Sequence, residues 1–237
     1  MAVSSPAPKT RSGAVQKVYE ALRKLLIEGA YPPGMHLREE SIASQLGVSR
    51  TPVREAVRKL AAEGWVEIIQ NQGAFVHRWS RGDIEEVLSL RAMLESHAAR
   101  FAALNATPSQ ISEMREICRR ALDRLPCTDA DAIAEVGALN SRFHRIILEA
   151  SGQRRTAAII ANLVELPITL RYFQHLEPAD MERSIREHHA LVEAIATRDA
   201  HWAGALMEAH VHGGKSLFLG RVGIPDDPDA AGGPRGS

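Results

Sequence analysis

Apolar residues Val15, Val18, Leu22, Leu25 and Leu26 recur at the three-and-four spacing of a helix face, and Gly29 ends the run, which predicts a helix over residues 15–28. The stretch Ala30-Tyr31-Pro32-Pro33-Gly34 is a turn, after which residues 39–46 read as a short second helix closed by Gly47. Ser49 stands at an N-cap position and Pro52 in a first turn, where its missing N–H is harmless, so a third helix is expected to run to about Glu63. Residues 65–69 and 74–77 then read as strands, joined through Gln70-Asn71-Gln72-Gly73 into a hairpin.

Beyond Trp79 only helical periodicity remains. Ser80 is expected to cap a long helix through residue 104, followed by helices near 108–125, 131–150, 154–166, 168–174, 181–197 and 200–219. Breaks fall at Thr107-Pro108, Ser151-Gly152 and Glu177-Pro178. The pattern predicts a mainly α fold: an N-terminal winged helix-turn-helix of three helices plus a β-hairpin, then an all-α antiparallel helical bundle. Its expected division is a loose tail over 1–12, a first domain over 13–79, a second over 80–221, and a disordered Gly-, Pro- and Asp-rich tail over 222–237.

The 237 residues carry as many acidic as basic side chains, but unevenly. Residues 1–79 hold 11 Lys and Arg against 7 Asp and Glu, and the remainder holds 18 against 22. A basic first half permits a nucleic-acid partner. Eight of the ten histidines fall in the second half. No apolar run approaches the ~18 residues of a membrane span, so no membrane association and a cytoplasmic location are expected. Cys118 and Cys127 fit neither a redox nor a paired zinc motif, and are expected to be reduced bystanders.

Two short helices with a tight turn at Gly47, the second with basic residues near its start, have the layout of a helix-turn-helix DNA reader. Arg50, Arg54 and Arg58 are four residues apart and share a face, opposite a buried stripe of Val53, Val57 and Leu60. Guanidinium groups there can meet guanine edges or phosphates, while Ser49 and Thr51 stand beside a helix N-terminus that favours phosphate. Gln72 and Gly73 occupy the hairpin tip, within reach of a minor groove. The competing reading is a solvated helix face whose arginines pair with nearby acids. The string Leu46-Gly47-Val48-Ser49-Arg50-Thr51-Pro52-Val53-Arg54-Glu55-Ala56-Val57, with Leu60 and Glu63-Gly64-Trp65-Val66, resembles the winged-helix signature of GntR-type bacterial transcription regulators. The resemblance implies operator contacts for Arg50, Arg54 and Gly73, and makes Arg38, ahead of the second helix, a further candidate.

The bundle places polar groups on stripes that should be buried. The inward series Ile133, Val136, Asn140, Phe143, His144 and Ile147 sets Asn140 and His144 one turn apart. The series Ile185, His188, Val192 and Ile195 points His188 inward, and Ala203, Leu206, His210 and Leu217 does the same for His210. Buried imidazoles need a hydrogen-bond network or a metal. Three imidazoles suit a divalent metal, Zn²⁺ first, with Ni²⁺ and Mn²⁺ as alternatives. The segments Asn140-Ser141-Arg142-Phe143-His144, Glu187-His188 and Met207-Glu208-Ala209-His210 resemble the FCD effector domain of the FadR subfamily. That resemblance implies metal ligation by Asn140, His144, His188 and His210, with asparagine where many members have an acid, so the ligand set lacks a protein anion. It also implies a small carboxylic-acid effector. Arg91, a cation on an apolar stripe, either faces such an acid or pairs with Glu95 one turn on; Arg142 and Arg171 are further effector candidates.

The expected function is a ligand-responsive transcription repressor, binding a palindromic double-stranded DNA operator as a homodimer. Two alternatives stand beside it: a metal-dependent hydrolase, which lacks HExxH and GxSxG, and a metal-independent regulator with a buried histidine network.

Overall fold

The computed structural model describes residues 11–126, 129–164 and 176–221. The expected helix over 168–174, the residues Arg171 and Cys127, and the expected tail over 222–237 lie outside the described residues. Within them the chain is helical apart from one hairpin, and it divides into two compact units that meet in sequence between Trp79 and Ser80. The mainly α fold expected from periodicity, a winged helix-turn-helix followed by a helical domain, holds.

The first unit comprises α1 (Arg11–Ile27), α2 (Glu39–Leu46), α3 (Arg50–Ala62), β1 (Val66–Ile69) and β2 (Gly73–Val76). Helix α1 starts at Arg11, inside the segment expected to be a loose tail. It packs against α3, which also meets α2 and β1. Val18, Leu22 and Leu26 of α1, Val53, Val57 and Leu60 of α3, and Trp65 form the core. Each such leucine contributes roughly 1.5–3 kcal/mol by leaving water. Gly47 closes α2 at φ +62°, its N–H reaching the carbonyls of Ala43 and Ser44; glycine adopts this left-handed geometry without strain, which keeps the link to α3 short.

The hairpin pairs Val66 with Val76 and Ile69 with Gly73. A third extended piece, which periodicity did not mark, joins it through a bridge between His36 and Phe75. The Leu37 N–H donates to the Ala74 carbonyl at 2.7 Å and the Val76 N–H to the Met35 carbonyl at 2.9 Å. Three residues are too few to display alternation.

The second unit comprises α4 (Arg81–Asn105), α5 (Pro108–Asp123), α6 (Ala130–Ser151), α7 (Arg154–Val164), α8 (Pro178–Ala196) and α9 (Ala200–Arg221). Ser80 caps α4 as expected: its hydroxyl accepts from the Asp83 N–H at 3.0 Å, and the Asp83 carboxylate accepts from the Ser80 N–H at 2.9 Å. Helix α4 is the central element, touching α6, α7, α8 and α9. Its Ala98, Ala99, Ala102 and Ala103 are fully buried, and side chains this small let the neighbouring backbones approach.

The fully buried face of α9 runs Ala203, Met207, Val211 and Phe218. Of the expected stripe, Ala203 lies on it, Leu206 and Leu217 pack against the core from its edge, and the His210 side chain is 11% exposed. Met207 and Leu206 are nearly equal in apolar character, so the sequence does not separate the centre of the face from its edge. Cys118 is buried, which pushes its thiol up to about 12 and leaves it unreactive.

Candidate metal centre and nucleic-acid interface

Helix α3 buries Pro52, Val53, Ala56, Val57 and Leu60 on one side and exposes Arg54 and Arg58 on the other. Arg50 is exposed at its first turn and answers to the acids of α2: it meets Glu40 at 2.6 Å and Glu39 at 3.8 Å. Such an exposed pair is worth at most ~1 kcal/mol and yields readily to a phosphate. Ser49 occupies the N-cap position, with φ −74° and ψ 166°, but its hydroxyl makes no capping bond. The hydroxyl therefore stays available beside the free N–H groups of the first turn. Thr51 is half-buried next to it, and Arg38 is exposed at the N-cap of α2.

Gln72 and Gly73 are exposed at the hairpin tip. Gly73 has φ +110°, and a Cβ there would lie 2.6 Å from His36 Nε2, so no side chain fits without moving that ring. His36 in turn stacks on Phe75 with ring centroids 4.7 Å apart.

In the second unit, His144 of α6, His188 of α8 and His210 of α9 converge, each offering a nitrogen within 4.8 Å of the others. His188 Nε2 and His210 Nε2 are 3.2 Å apart. Two imidazole nitrogens bound tetrahedrally to one Zn²⁺ at ~2.0–2.1 Å would be separated by roughly 3.3 Å, so this pair has the spacing of a shared ion. His188 is 4% exposed and stacks on Phe143, with centroids 4.1 Å apart and planes inclined by 16°. Asn140 is half-buried on α6, one turn before His144.

Each outer imidazole is held from behind by a carboxylate. His144 Nδ1 lies 2.7 Å from Glu95 of α4, and His210 Nδ1 lies 2.7 Å from Glu187 of α8. An ionised carboxylate only accepts, so in each pair the ring donates from Nδ1. Burial alone would raise the Glu95 carboxyl. The charge of Arg91, with the hydrogen bonds from His144 and Arg91, outweighs it and holds Glu95 below the usual carboxylate range. Burial pushes His188 well below its ordinary value, helped by the neighbouring His210, His144 and His189. Burial lowers His210 too, against the opposing pull of Glu187. Neutral rings are what a metal requires.

Arg91 donates from Nε to Glu95 at 2.8 Å, so of the two expectations for this residue the internal pairing is realised. Arg142 stands apart from the cluster. It is two residues before His144, on the far side of α6, and pairs on the surface with Glu113 of α5 and Glu149. None of His144, His188, His210 and Asn140 is an anion, but two carboxylates stand one hydrogen bond behind the rings. Sequence reasoning missed Glu95 and Glu187 in this role. The available signal was the spacing Arg91–Glu95 repeated as Arg183–Glu187, with Glu187 directly before His188.

Comparison with known proteins agrees with this division. Residues 14–76 match the model of the bacterial regulatory proteins of the gntR family, and residues 86–213, more than half of the chain, match the FCD domain. The HTH-type transcriptional repressor RspR of Escherichia coli is 27% identical over 198 residues, covering 83% of this chain and 85% of that protein. The HTH-type transcriptional regulator McbR of the same organism is 28% identical over 185 residues, covering 77% of this chain and 82% of its own length. The solved structure of E. coli McbR/YncC superposes with a TM-score of 0.68 at 24% identity, covering 86% of this chain and 96% of that one. A regulator from Rhodococcus sp. RHA1 gives 0.67 at 22%, covering 88% and 98%. Both structures share the fold. No helix among the described residues is long and apolar enough to cross a membrane. With a winged reader at its front and an FCD domain behind it, the chain belongs to the GntR family of bacterial transcription regulators.

Proposed function

We propose that this regulator is a metal-dependent sensor of a small carboxylic acid that represses transcription from a palindromic operator, to which it binds as a homodimer. The observation that carries the reading is the convergence of three imidazoles from three helices on one point, with two of their rings oriented by carboxylates. His144, His188 and His210 are the protein ligands of a divalent ion, Zn²⁺ first and Ni²⁺ or Mn²⁺ next. The Asn140 amide and the acid complete its shell. Arg91, already committed to Glu95 through Nε, has its two terminal nitrogens left to meet the acid's second oxygen. Repression as the sign of regulation has its support in the similarity to a protein named a repressor.

On the DNA side, α3 enters a major groove with Arg50, Arg54 and Arg58, Ser49 and Thr51 hold the phosphate at its N-terminus, and Arg38, Gln72 and Gly73 reach the flanking backbone and minor groove. Pairing with a second copy has support in an apolar stripe on α4, where Leu90, Met93 and Leu104 are 40%, 68% and 58% exposed on one face. Two such copies place their recognition helices in successive grooves ~34 Å apart.

A thermal-shift screen against carboxylic acids, with and without chelator, tests the sensing reading, since a ligand that binds the folded state raises its apparent stability. The expected result is a stabilising acid whose effect disappears on chelation. The metal-free alternative also has an observation in its favour: the 3.2 Å contact between His188 and His210 closes as a hydrogen bond without any ion. Elemental analysis of protein purified without chelator decides between them.

A further inference from the structure

The histidine cluster is backed by two assemblies of the same composition and unequal surroundings. In one, Arg91 and Glu95 are one turn apart on α4, and Glu95 reaches across to His144 on α6. In the other, Arg183 and Glu187 are one turn apart on α8, and Glu187 reaches across to His210 on α9. The first is dry and tight: the side chains of Arg91 and Glu95 are 13% and 3% exposed, and Nε lies 2.8 Å from Oε1. The second is wet and loose: those of Arg183 and Glu187 are 43% and 31% exposed, with 3.6 Å between the corresponding atoms.

We infer that Glu95 and Glu187 are positioning residues that set the tautomers of His144 and His210, and that only Glu95, with one oxygen locked by Arg91, leaves its histidine no alternative. The inference rests on the metal reading above for its consequence, but its cause is present in the ion-free protein. Both carboxylates take a proton-bearing Nδ1, which directs the lone pair of each Nε2 inward. His210 Nε2 then accepts from His188, whose own Nε2 carries a proton until an ion displaces it.

The two sites therefore respond differently to the same isosteric change. In Glu95→Gln, Arg91 still donates from Nε and so claims the single amide oxygen. The amide nitrogen is left to face His144 Nδ1, and as a donor it forces that ring into the Nε2–H form, which cannot ligate through Nε2. In Glu187→Gln the loose, half-exposed amide turns its oxygen to His210 and the tautomer survives.

The experiment uses full-length protein labelled with ¹⁵N at histidine, freed of metal, and read by long-range proton–nitrogen correlation, followed by Zn²⁺ titration in competition with a chromophoric chelator. The wild type is expected to show His144 and His210 as Nδ1–H. Glu95→Gln is expected to switch His144 to Nε2–H and to weaken Zn²⁺ binding 10–100-fold, the usual cost of losing an outer-sphere partner. Glu187→Gln is expected to keep both the tautomer and most of the affinity. A wild-type His144 without a proton on Nδ1, or a Glu95→Gln protein that binds Zn²⁺ as tightly as the wild type, overturns the inference. The wild-type spectrum needs no substitution, so poor folding of a variant does not remove the test. A wild type that takes up no Zn²⁺ overturns the proposed metal site instead, and the spectra still judge the positioning role.

Discussion

The arginines of α3 and Arg91 of α4 have the same side chain and opposite circumstances. Arg54 and Arg58 are exposed, and Arg50, also exposed, meets Glu39 and Glu40 of α2. Arg91 is nearly buried and joined to a carboxylate that is itself joined to a histidine. A reader of DNA keeps its cations exposed, because a phosphate or a guanine edge must find them. The second unit keeps this cation inside, where low polarity makes each orientation matter. Helix α3 can therefore lose an exposed arginine and remain folded, whereas the second unit cannot lose Arg91 cheaply.

Four predictions test this contrast, beginning with the largest expected effect. Replacing His144 and His188 together with alanine is expected to abolish bound metal in elemental analysis; an unchanged metal content removes the proposed centre. Arg91→Ala leaves Glu95 buried beside His144 without its cation, and urea denaturation should show a loss of ~3–5 kcal/mol. A loss below 1 kcal/mol would mean that water replaces the guanidinium freely and that the interior is wetter than its exposure indicates. Arg50→Ala or Arg54→Ala should weaken operator binding by ~1–3 kcal/mol at fixed salt while leaving the denaturation midpoint unmoved. If neither variant weakens binding, α3 is not the reading helix. Arg142→Ala, which opens only surface pairs with Glu113 and Glu149, should cost no more than ~1 kcal/mol and less in high salt.

Much of this contrast was legible before any coordinates. The stripe of Val53, Val57 and Leu60 against Arg50, Arg54 and Arg58 defined both faces of α3, because a helix that is buried on one side must alternate in this way. Ser80 marks the start of α4 and Thr107-Pro108 the break before α5 in the sequence, whereas the capping partners Asp83 and Gln110 emerge only in the structure. The histidines were also visible, since polar residues on apolar stripes stand out. Their supports were not. Glu95 and His144 are 49 positions apart, and nothing in either local pattern says that their helices cross at that level. The centre of the buried face of α9 was hidden for a related reason: Leu206 and Met207 offer equal reasons to turn inward, and only the packing of the bundle makes Met207 the more buried.

The alanines along α4 carry a consequence of their own. A helix that approaches its neighbours through methyl groups at Ala98, Ala99, Ala102 and Ala103 has no slack to absorb a larger residue by a change of rotamer. Any descendant that varies within the second unit is therefore expected to keep small side chains along this spine and to accept bulkier ones elsewhere.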